Sequence, residues 1–240
     1  MRAAAPLDNS GLLQALRIVL SVIAGCTDII GFLSLHGLFT AQVTGNLVLL
    51  AAHVVAGSEV QIAKLLSVPM FMVAVGLTML VANGLAAIGF APLRPLLLLQ
   101  FVLLVGFLIL CVTAGPHADL NATFAIFAGM LGVSAMAVQY ALVEVSLSGV
   151  PATAVVSTDL ARLAMAVSVV LLGRDPSKVA KARNIAAGNL TVIVGFAAGC
   201  CLGAACQAAL GPWSLALPAG LAFLAYAMAF AANVDTGSRF

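Results

Sequence analysis

The sequence predicts an all-α integral membrane protein, a single membrane domain over residues 1–240 whose helical bundle is internally duplicated. Three observations predict this fold class: the scarcity of charge, the long apolar segments, and a motif that occurs in both halves. Apolar residues make up 63% of the chain and charged residues only 8%, and the mean hydropathy is +1.20. Soluble domains carry about 25% charged residues because their surface faces water. Most of this protein's surface must therefore face lipid.

Apolar segments of membrane-spanning length divide the chain. A hydrocarbon core of about 30 Å needs ~20 apolar residues to be crossed by a helix. The breaks between segments are short and hold most of the charge, above all the basic loop at 174–183. Eight segments result, near residues 11–35, 38–57, 62–91, 95–114, 121–147, 152–173, 184–211 and 213–233.

The first segment contains a pattern typical of a processing signal. Arg17 is followed by an apolar run ending at 22–26 (VIAGC), which resembles a lipoprotein cleavage box. Cleavage there would release a soluble domain, but the chain stays apolar through Phe32 and continues into further hydrophobic segments. We therefore predict that this run is the first membrane helix and not a removed signal.

Several classes of function are disfavoured by composition and motifs. The net charge of +2 is too small to suggest nucleic acid as a partner, and the basic residues form no patch interleaved with aromatics. The five cysteines lie inside apolar runs, which is typical of packing residues and not of a disulfide framework or a metal site. No serine has a Gly-x-Ser-x-Gly setting, and no nucleotide loop is present. The sequence therefore predicts no enzymatic activity, no catalytic residue, no cofactor and no metal.

The two halves of the chain carry a related motif. Residues 40–47 (TAQVTGNL) align with residues 153–160 (TAVVSTDL). Downstream residues match at similar separations: Gly76 with Gly195, Gly84 with Gly203 and Pro92 with Pro212. We therefore predict two repeats, at about 11–116 and about 121–234. Membrane transporters are commonly built from such repeats.

Segments two and six differ from the others because each contains a polar triplet, at 44–46 (TGN) and 157–159 (STD). Asn, Ser, Thr and Asp are the preferred residues at helix N-termini, so each triplet predicts a short helix that begins within the membrane. If these segments are re-entrant, six helices cross and the halves form 3+3 inverted repeats. If they cross, there are eight crossings and the repeats are parallel. We favour the re-entrant arrangement, since too few residues separate Asn46 from Gly57 to span a bilayer.

Specific motifs carry a resemblance to a known family. These are residues 25–32 (GCTDIIGF) and 39–46 (FTAQVTGN), with Gln139, the step at 149–151 (GVP) and residues 160–163 (LARL) in the second half. The chain resembles the YoaK-like family of bacterial integral membrane proteins (domain of unknown function 1275) over nearly its whole length. The resemblance implies a multi-pass protein of the bacterial inner membrane, and it implies no particular substrate.

Charged residues inside the apolar segments are the most informative candidates, since ionised groups are costly in lipid. Asp28 lies mid-segment and is either a proton or cation ligand, or a structural carboxylate that caps a neighbouring helix or pairs with Arg162. Asp159 lies three residues before Arg162, so an ion pair within one helix is available. Glu144 is another candidate partner for Arg162. A structural ion pair is the simpler interpretation, and a gate or anion clamp is the alternative.

The polar triplets are candidates because a helix N-terminus carries about half a positive charge and free N–H donors. Two such ends meeting at a repeat interface would suit an anion, unless their side chains only cap their own helices. A different face, Gly195-x-x-x-Gly199-x-x-x-Gly203, predicts close packing between helices of one chain or of two copies.

These observations predict a small-solute or ion transporter or channel, with its site between the two discontinuous helices. The alternative is a non-transporting membrane scaffold or partner subunit. The predicted partners are the lipid bilayer, an unidentified small solute or ion, and a second copy of the chain. The candidate substrate-binding residues are Asp28, Thr44, Gly45, Asn46, Ser157, Thr158, Asp159 and Arg162.

Overall fold

The computed structural model describes residues 9–57, 61–114, 123–146 and 156–231. The motif step at 149–151 and the first residues of the second repeat motif lie outside these ranges. The described residues form helices and no strand, so the predicted all-α class is confirmed. The helices are α1 (Asn9–Ser34), α2 (Val43–Val55), α3 (Ile62–Ala87), α4 (Leu93–Ala114), α5 (Thr123–Ser146), α6 (Val156–Leu172), α7 (Pro176–Leu210), a short 3-10 helix (Gly211–Leu215) and α8 (Ala216–Ala231).

Length and composition make several of these helices able to cross a bilayer. Five helical stretches qualify, and the last of them combines α7, the 3-10 helix and α8. Large apolar side chains such as Met72, Leu77 and Leu80 lie exposed on the outside of α3, as expected where the solvent is lipid. The protein is therefore a multi-pass membrane protein. The five stretches are Gly11–Ser34, Ile62–Ala87, Leu93–Ala114, Thr123–Ser146 and Pro176–Phe230.

The start of α7 differs from the prediction, which assigned 174–183 to a loop. The helix begins at Pro176, so only residues 173–175 separate it from α6. The Asp175 carboxylate caps it by accepting hydrogen bonds from the backbone N–H of Ser177 at 2.9 Å and from its hydroxyl at 2.7 Å. These bonds favour the ionised carboxylate and lower the pKa of Asp175. The Asp-Pro pair at this helix start outweighs the local density of charge.

The helices pack crosswise between the two halves. The first helix of each half lies against the third helix of the other half, α1 against α7 and α5 against α3. Each short helix packs within its own half, α2 against α3 and α6 against α7, and α4 packs against α8. The same pattern of neighbours therefore occurs in both halves.

The contact between α1 and α7 depends on glycine. A Cβ atom on Gly199 would lie 2.4 Å from the Val22 carbonyl oxygen, and one on Gly203 would lie 2.6 Å from the Ile29 side chain. Gly25 of α1 has the reciprocal role, since its Cβ would lie 2.1 Å from the Phe196 carbonyl oxygen. The glycine face predicted for packing is thus covered by α1 of the same chain, and α1 and α7 run in the same direction.

Side-chain contacts give the directions of the other helices. We call the end of the bundle where α1 begins the near end, and the end where it finishes the far end. The Lys64 ammonium donates to the His36 carbonyl at 3.1 Å, so α3 begins at the far end. Gly129, near the start of α5, lies against Leu38 at the same end. α3 and α5 therefore run opposite to α1.

The remaining two long helices meet at the near end. The Arg94 Nε donates to the Ala229 carbonyl at 3.3 Å, which places the start of α4 beside the end of α8. α3 begins at the far end and finishes at Ala87, and only residues 88–92 separate it from Leu93, so α4 begins at the end where α1 begins. α4 and α7 therefore run with α1, whereas α3, α5 and α8 run against it.

Candidate functional site

The chain folds back sharply between α1 and α2, and we call residues 35–42 the α1–α2 break. The Asp28 carboxylate holds the α2 side of this break. Its Oδ1 accepts hydrogen bonds from the backbone N–H of Thr40 at 2.7 Å and of Ala41 at 2.8 Å, with Gln42 N–H at 3.4 Å. Asp28 is 3% exposed. A buried carboxylate at the N-terminus of a helix is stabilised by the N–H groups and by the helix dipole.

The depth of the break follows from Asp28. Asp28 lies six residues before the end of α1, which is about 9 Å along a helix axis at 1.5 Å per residue. Thr40 lies against Gly31, where a Cβ would be 2.9 Å from the threonine methyl group. The break therefore runs back along the last turns of α1, and α2 begins inside the bundle and not at its end.

Asn46 ties the middle of the break to α2 and α3. Its Oδ1 accepts from the Phe39 N–H at 2.8 Å, and its Nδ2 donates to the Phe39 carbonyl at 2.8 Å. The same Nδ2 donates to the Ser67 hydroxyl of α3 at 2.9 Å. Asn46 is fully buried. These bonds satisfy backbone groups that would otherwise lack partners in a non-helical segment.

Lys64 holds the α1 side of the break. It is 1% exposed, and its ammonium donates to the His36 carbonyl just beyond the end of α1. His36 and Gly37 both have positive φ, 52° and 88°, as a tight reversal requires. A Cβ on Gly37 would lie 3.2 Å from the Lys64 Nζ. A cation at the C-terminal end of a helix is favoured by the helix dipole.

The other two residues of the first triplet have different surroundings. Thr44 is exposed, and Gly45 lies against the Phe39 ring, where a Cβ would be 3.0 Å from a ring carbon. The N-cap residue of α2 is Gln42, and it makes no side-chain capping bond. The prediction that triplet side chains cap this helix therefore differs from the structure, because Asp28 of α1 does the capping and Asn46 turns back to the break.

The second half places Asp159 and Arg162 on one face of α6. The Arg162 Nη1 lies 4.0 Å from the Asp159 Oδ1, with Asp159 1% and Arg162 51% exposed. Thr158 is exposed, and the side chain of Ser157 lies outside the described residues. The Asp159 Oδ2 is buried and has no hydrogen-bond partner. The ion pair therefore has a long N–O distance and joins one buried and one exposed side chain.

Asn189 of α7 faces the same hairpin as Asp159. Ala166 and Ala182 line one groove between α6 and α7, Asp159 lies seven residues before Ala166, and Asn189 lies seven residues after Ala182. Seven residues are about two helical turns, so both polar side chains lie on the facing sides of the hairpin. Asn189 is fully buried and neither atom of its carboxamide has a partner. The second half therefore holds unpaired polar groups where the first half holds paired ones.

The two short helices do not pack extensively against each other within the described residues. α2 lies on α3 and α6 lies on α7. The candidate residues thus form two clusters, one around Asp28 and Asn46 and one around Asp159 and Arg162.

A cavity of about 240 Å³ opens at the far end of the bundle, beside the α1–α2 break; we call it the vestibule. Its polar lining comes from Ser34, His36, Gln61 and Gln207. The apolar lining comes from the ends of α1 and α4, the start of the break, the starts of α3 and α5, and the 3-10 helix. It consists of Leu33, Leu35, Ala63, Cys111, Ala114, Ala125, Ala128, Gly211 and Pro212. Residues of the break itself therefore form part of the cavity wall.

Sequence reasoning did not select Lys64, Ser67 or Asn189 as site residues. It also named Gln139 without its contact, a hydrogen bond of 2.7 Å from the fully buried Gln100. All are polar residues within or at the start of apolar segments, and the sequence alone shows this. The partners of Lys64, Ser67 and Gln139 lie 21 or more residues away in sequence, so these pairings could not be predicted. Within the described ranges, no three His, Cys, Asp or Glu side chains lie close enough together to hold a metal ion.

The fold and this site define a multi-pass helical membrane protein with a helix break held inside the bundle by buried charges. The family model described as "Protein of unknown function (DUF1275)" matches residues 16–228, and the chain belongs to this family. No curated protein and no solved structure matches the chain.

Proposed function

We propose that the protein is a transporter or channel for a small solute or ion, entered at the far end through the vestibule. The observation that carries the proposal is the α1–α2 break, a non-helical stretch held inside a membrane bundle by Asp28, Asn46 and Lys64. Non-helical backbone at membrane depth is tolerated where it is buried in protein or lines a water-filled cavity. Here the break both binds buried side chains and contributes to a cavity wall.

The directions of the helices support an inverted arrangement. Three long helices in each half alternate in direction, and the second half begins in the opposite sense to the first. In this proposal six helices cross, α2 and α6 re-enter, and the two halves are inverted repeats. Transporters of this type commonly bind their substrate beside discontinuous helices at the repeat interface.

The geometry around Asp28 bears on the kind of substrate. The Asp28 carboxylate already occupies the N-terminus of α2, the position that a bound anion would otherwise take. In this proposal Asp28 and Asn46 shape the pathway. Solute contacts come from the vestibule lining, from the Asp159 Oδ2 and from the Asn189 carboxamide, which have no hydrogen-bond partner. The Thr44 hydroxyl is not part of the pathway.

A non-transporting scaffold receives less support. That alternative expects a small-residue face free to bind another helix, whereas the Gly195, Gly199 and Gly203 face is covered by α1. The transport assay separates the two functions directly.

The experiment is flux into liposomes that contain the purified protein, screened with inorganic anions, cations and neutral metabolites. Ala125→Trp should block flux of the transported solute because Ala125 lines the vestibule. Phe127→Trp is the matched control, since Phe127 lies two residues away and is 61% exposed. Absence of flux for every solute tested, or equal loss in both variants, would count against the proposal.

A further inference from the structure

A second cavity lies away from the vestibule, in the antiparallel hairpin formed by α6 and α7. Its volume is about 510 Å³, and we call it the basic groove. Charged side chains and apolar side chains both line it. The lining residues are Arg162, Met165, Ala166, Val169, Lys178, Lys181, Ala182 and Ile185.

The positive charge of the groove is poorly neutralised. The Lys178 ammonium lies 3.9 Å from the Asp175 carboxylate, and both side chains are largely exposed. The Arg162 guanidinium reaches Asp159 only at 4.0 Å. No carboxylate in the described ranges lies within ion-pair distance of Lys181. Exposed pairs at such distances contribute little, so three cations are available to an anionic ligand.

The rest of the groove is apolar. Met165 is 61% exposed and Val169 40% exposed, and Ala166 and Ala182 are small enough to leave room between the helices. From Arg162 to Val169 the groove follows seven residues of α6, about 10 Å of helix. A water-soluble anion would make no apolar contact with this surface. An uncharged lipid would leave the cations without a negative partner. A ligand with a phosphate and an acyl chain matches both parts.

The position of the groove in the bundle agrees with such a ligand. It lies toward the near end, where α7 begins and where Arg174 and Arg183 add further exposed charge. Positive residues concentrate on the cytoplasmic side of membrane proteins. Basic pockets between membrane helices on that side bind anionic lipid headgroups.

We propose that the basic groove binds an anionic phospholipid, with the phosphate at Lys178 and Lys181 and one acyl chain along the apolar floor toward Arg162. None of the groove residues lines the vestibule, and the test below measures lipid binding and not flux, so it can fail without the proposed transport function failing.

The test measures lipid binding to delipidated protein by native mass spectrometry, with phosphatidylglycerol and phosphatidylcholine of identical acyl chains. Wild-type protein should prefer phosphatidylglycerol. The double variant Lys178→Gln/Lys181→Gln should weaken phosphatidylglycerol binding by about 10- to 30-fold, because each basic residue near an anionic surface contributes on the order of a five-fold effect. The matched control Arg174→Gln/Arg183→Gln removes two exposed charges outside the groove and should change binding less than about twofold.

A second pair of variants tests the acyl-chain part without changing charge. Val169→Trp fills the groove and should release the lipid, whereas Leu172→Trp, at a position that is 81% exposed and outside the groove, should not. Equal binding of the two lipids overturns the proposal, as does equal loss in the arginine control, which would indicate general surface attraction only. Competition by soluble glycerol phosphate at the same concentration as the lipid would also overturn it. Unchanged thermal unfolding of each variant shows that the fold is intact.

Discussion

Asp28 and Lys64 hold the two sides of the same helix break with opposite charges. The Asp28 carboxylate binds the N–H groups at the start of α2, and the Lys64 ammonium binds a carbonyl just beyond the end of α1. Each charge complements the dipole of the helix end that it contacts. The cost of burying two charges is thus offset by backbone groups that would otherwise be unpaired.

The first prediction concerns Asp28. Asp28→Asn removes the negative charge but keeps an Oδ1 that can accept from the Thr40 and Ala41 N–H groups, so both bonds change from charge-assisted to neutral. We expect a loss of about 2 kcal/mol in the free energy of unfolding, since hydrogen bonds to charged groups contribute about 1.5–3 kcal/mol. Unfolding in mixed micelles measures the change.

Thr27→Val is the control for Asp28. Thr27 is also fully buried, but its hydroxyl donates only to the Ile23 carbonyl of its own helix. Its replacement should change stability by less than about 0.5 kcal/mol. If Asp28→Asn were equally harmless, the carboxylate would not be holding the break.

The second prediction concerns the contact between Asn46 and Ser67. Asn46→Ala removes three buried hydrogen bonds and leaves the Phe39 backbone unpaired, so we expect a loss of about 3 kcal/mol. Ser67→Ala removes one of these bonds and should cost about 1 kcal/mol. The double variant should cost less than the sum by about 0.5–1 kcal/mol, because the bond between the two residues is counted twice. Strict additivity would show that this bond does not form.

The bounds of a helix were predictable from sequence where the local composition marks where the helix begins and ends. α4 (Leu93–Ala114) begins within two residues of the predicted segment and ends where predicted, since prolines and charge mark its start. The short α2 was also predictable, because the polar triplet and Gly57 leave room for only 13 helical residues. These boundaries depend on local sequence.

The site was less predictable because its contacts are tertiary. Lys64 stands at the start of an apolar segment, which is typical of a residue at the membrane surface, yet it is buried against His36 28 residues away. The α7 start at Pro176 was missed for another reason. Five charged residues between 174 and 183 favoured a loop, while the Asp175-Pro176 pair that begins the helix was given no weight.

The third prediction concerns close packing of α1 on α7. Gly199→Ala places a methyl group 2.4 Å from the Val22 carbonyl oxygen, which is backbone and cannot rotate away. The helices must separate, and we expect a loss of about 3 kcal/mol in the free energy of unfolding. Gly188→Ala in the same helix meets nothing within 4 Å and should be neutral or stabilising by about 0.5–1 kcal/mol. A similar loss at both positions would argue against the packing.

The fourth prediction concerns the two ends of the bundle. Ala114 lines the vestibule at the far end, and Ser177 lies at the start of α7 at the near end. If the six long helices cross the bilayer, these positions lie on opposite sides of the membrane, with the basic near end in the cytoplasm. A membrane-impermeant thiol reagent added outside cells should therefore label Ala114→Cys above the background of the native cysteines. It should label Ser177→Cys only after the membrane is opened. Labelling of both from one side would require an even number of crossings between them, whereas in this arrangement α5 crosses once between the two positions and α6 re-enters.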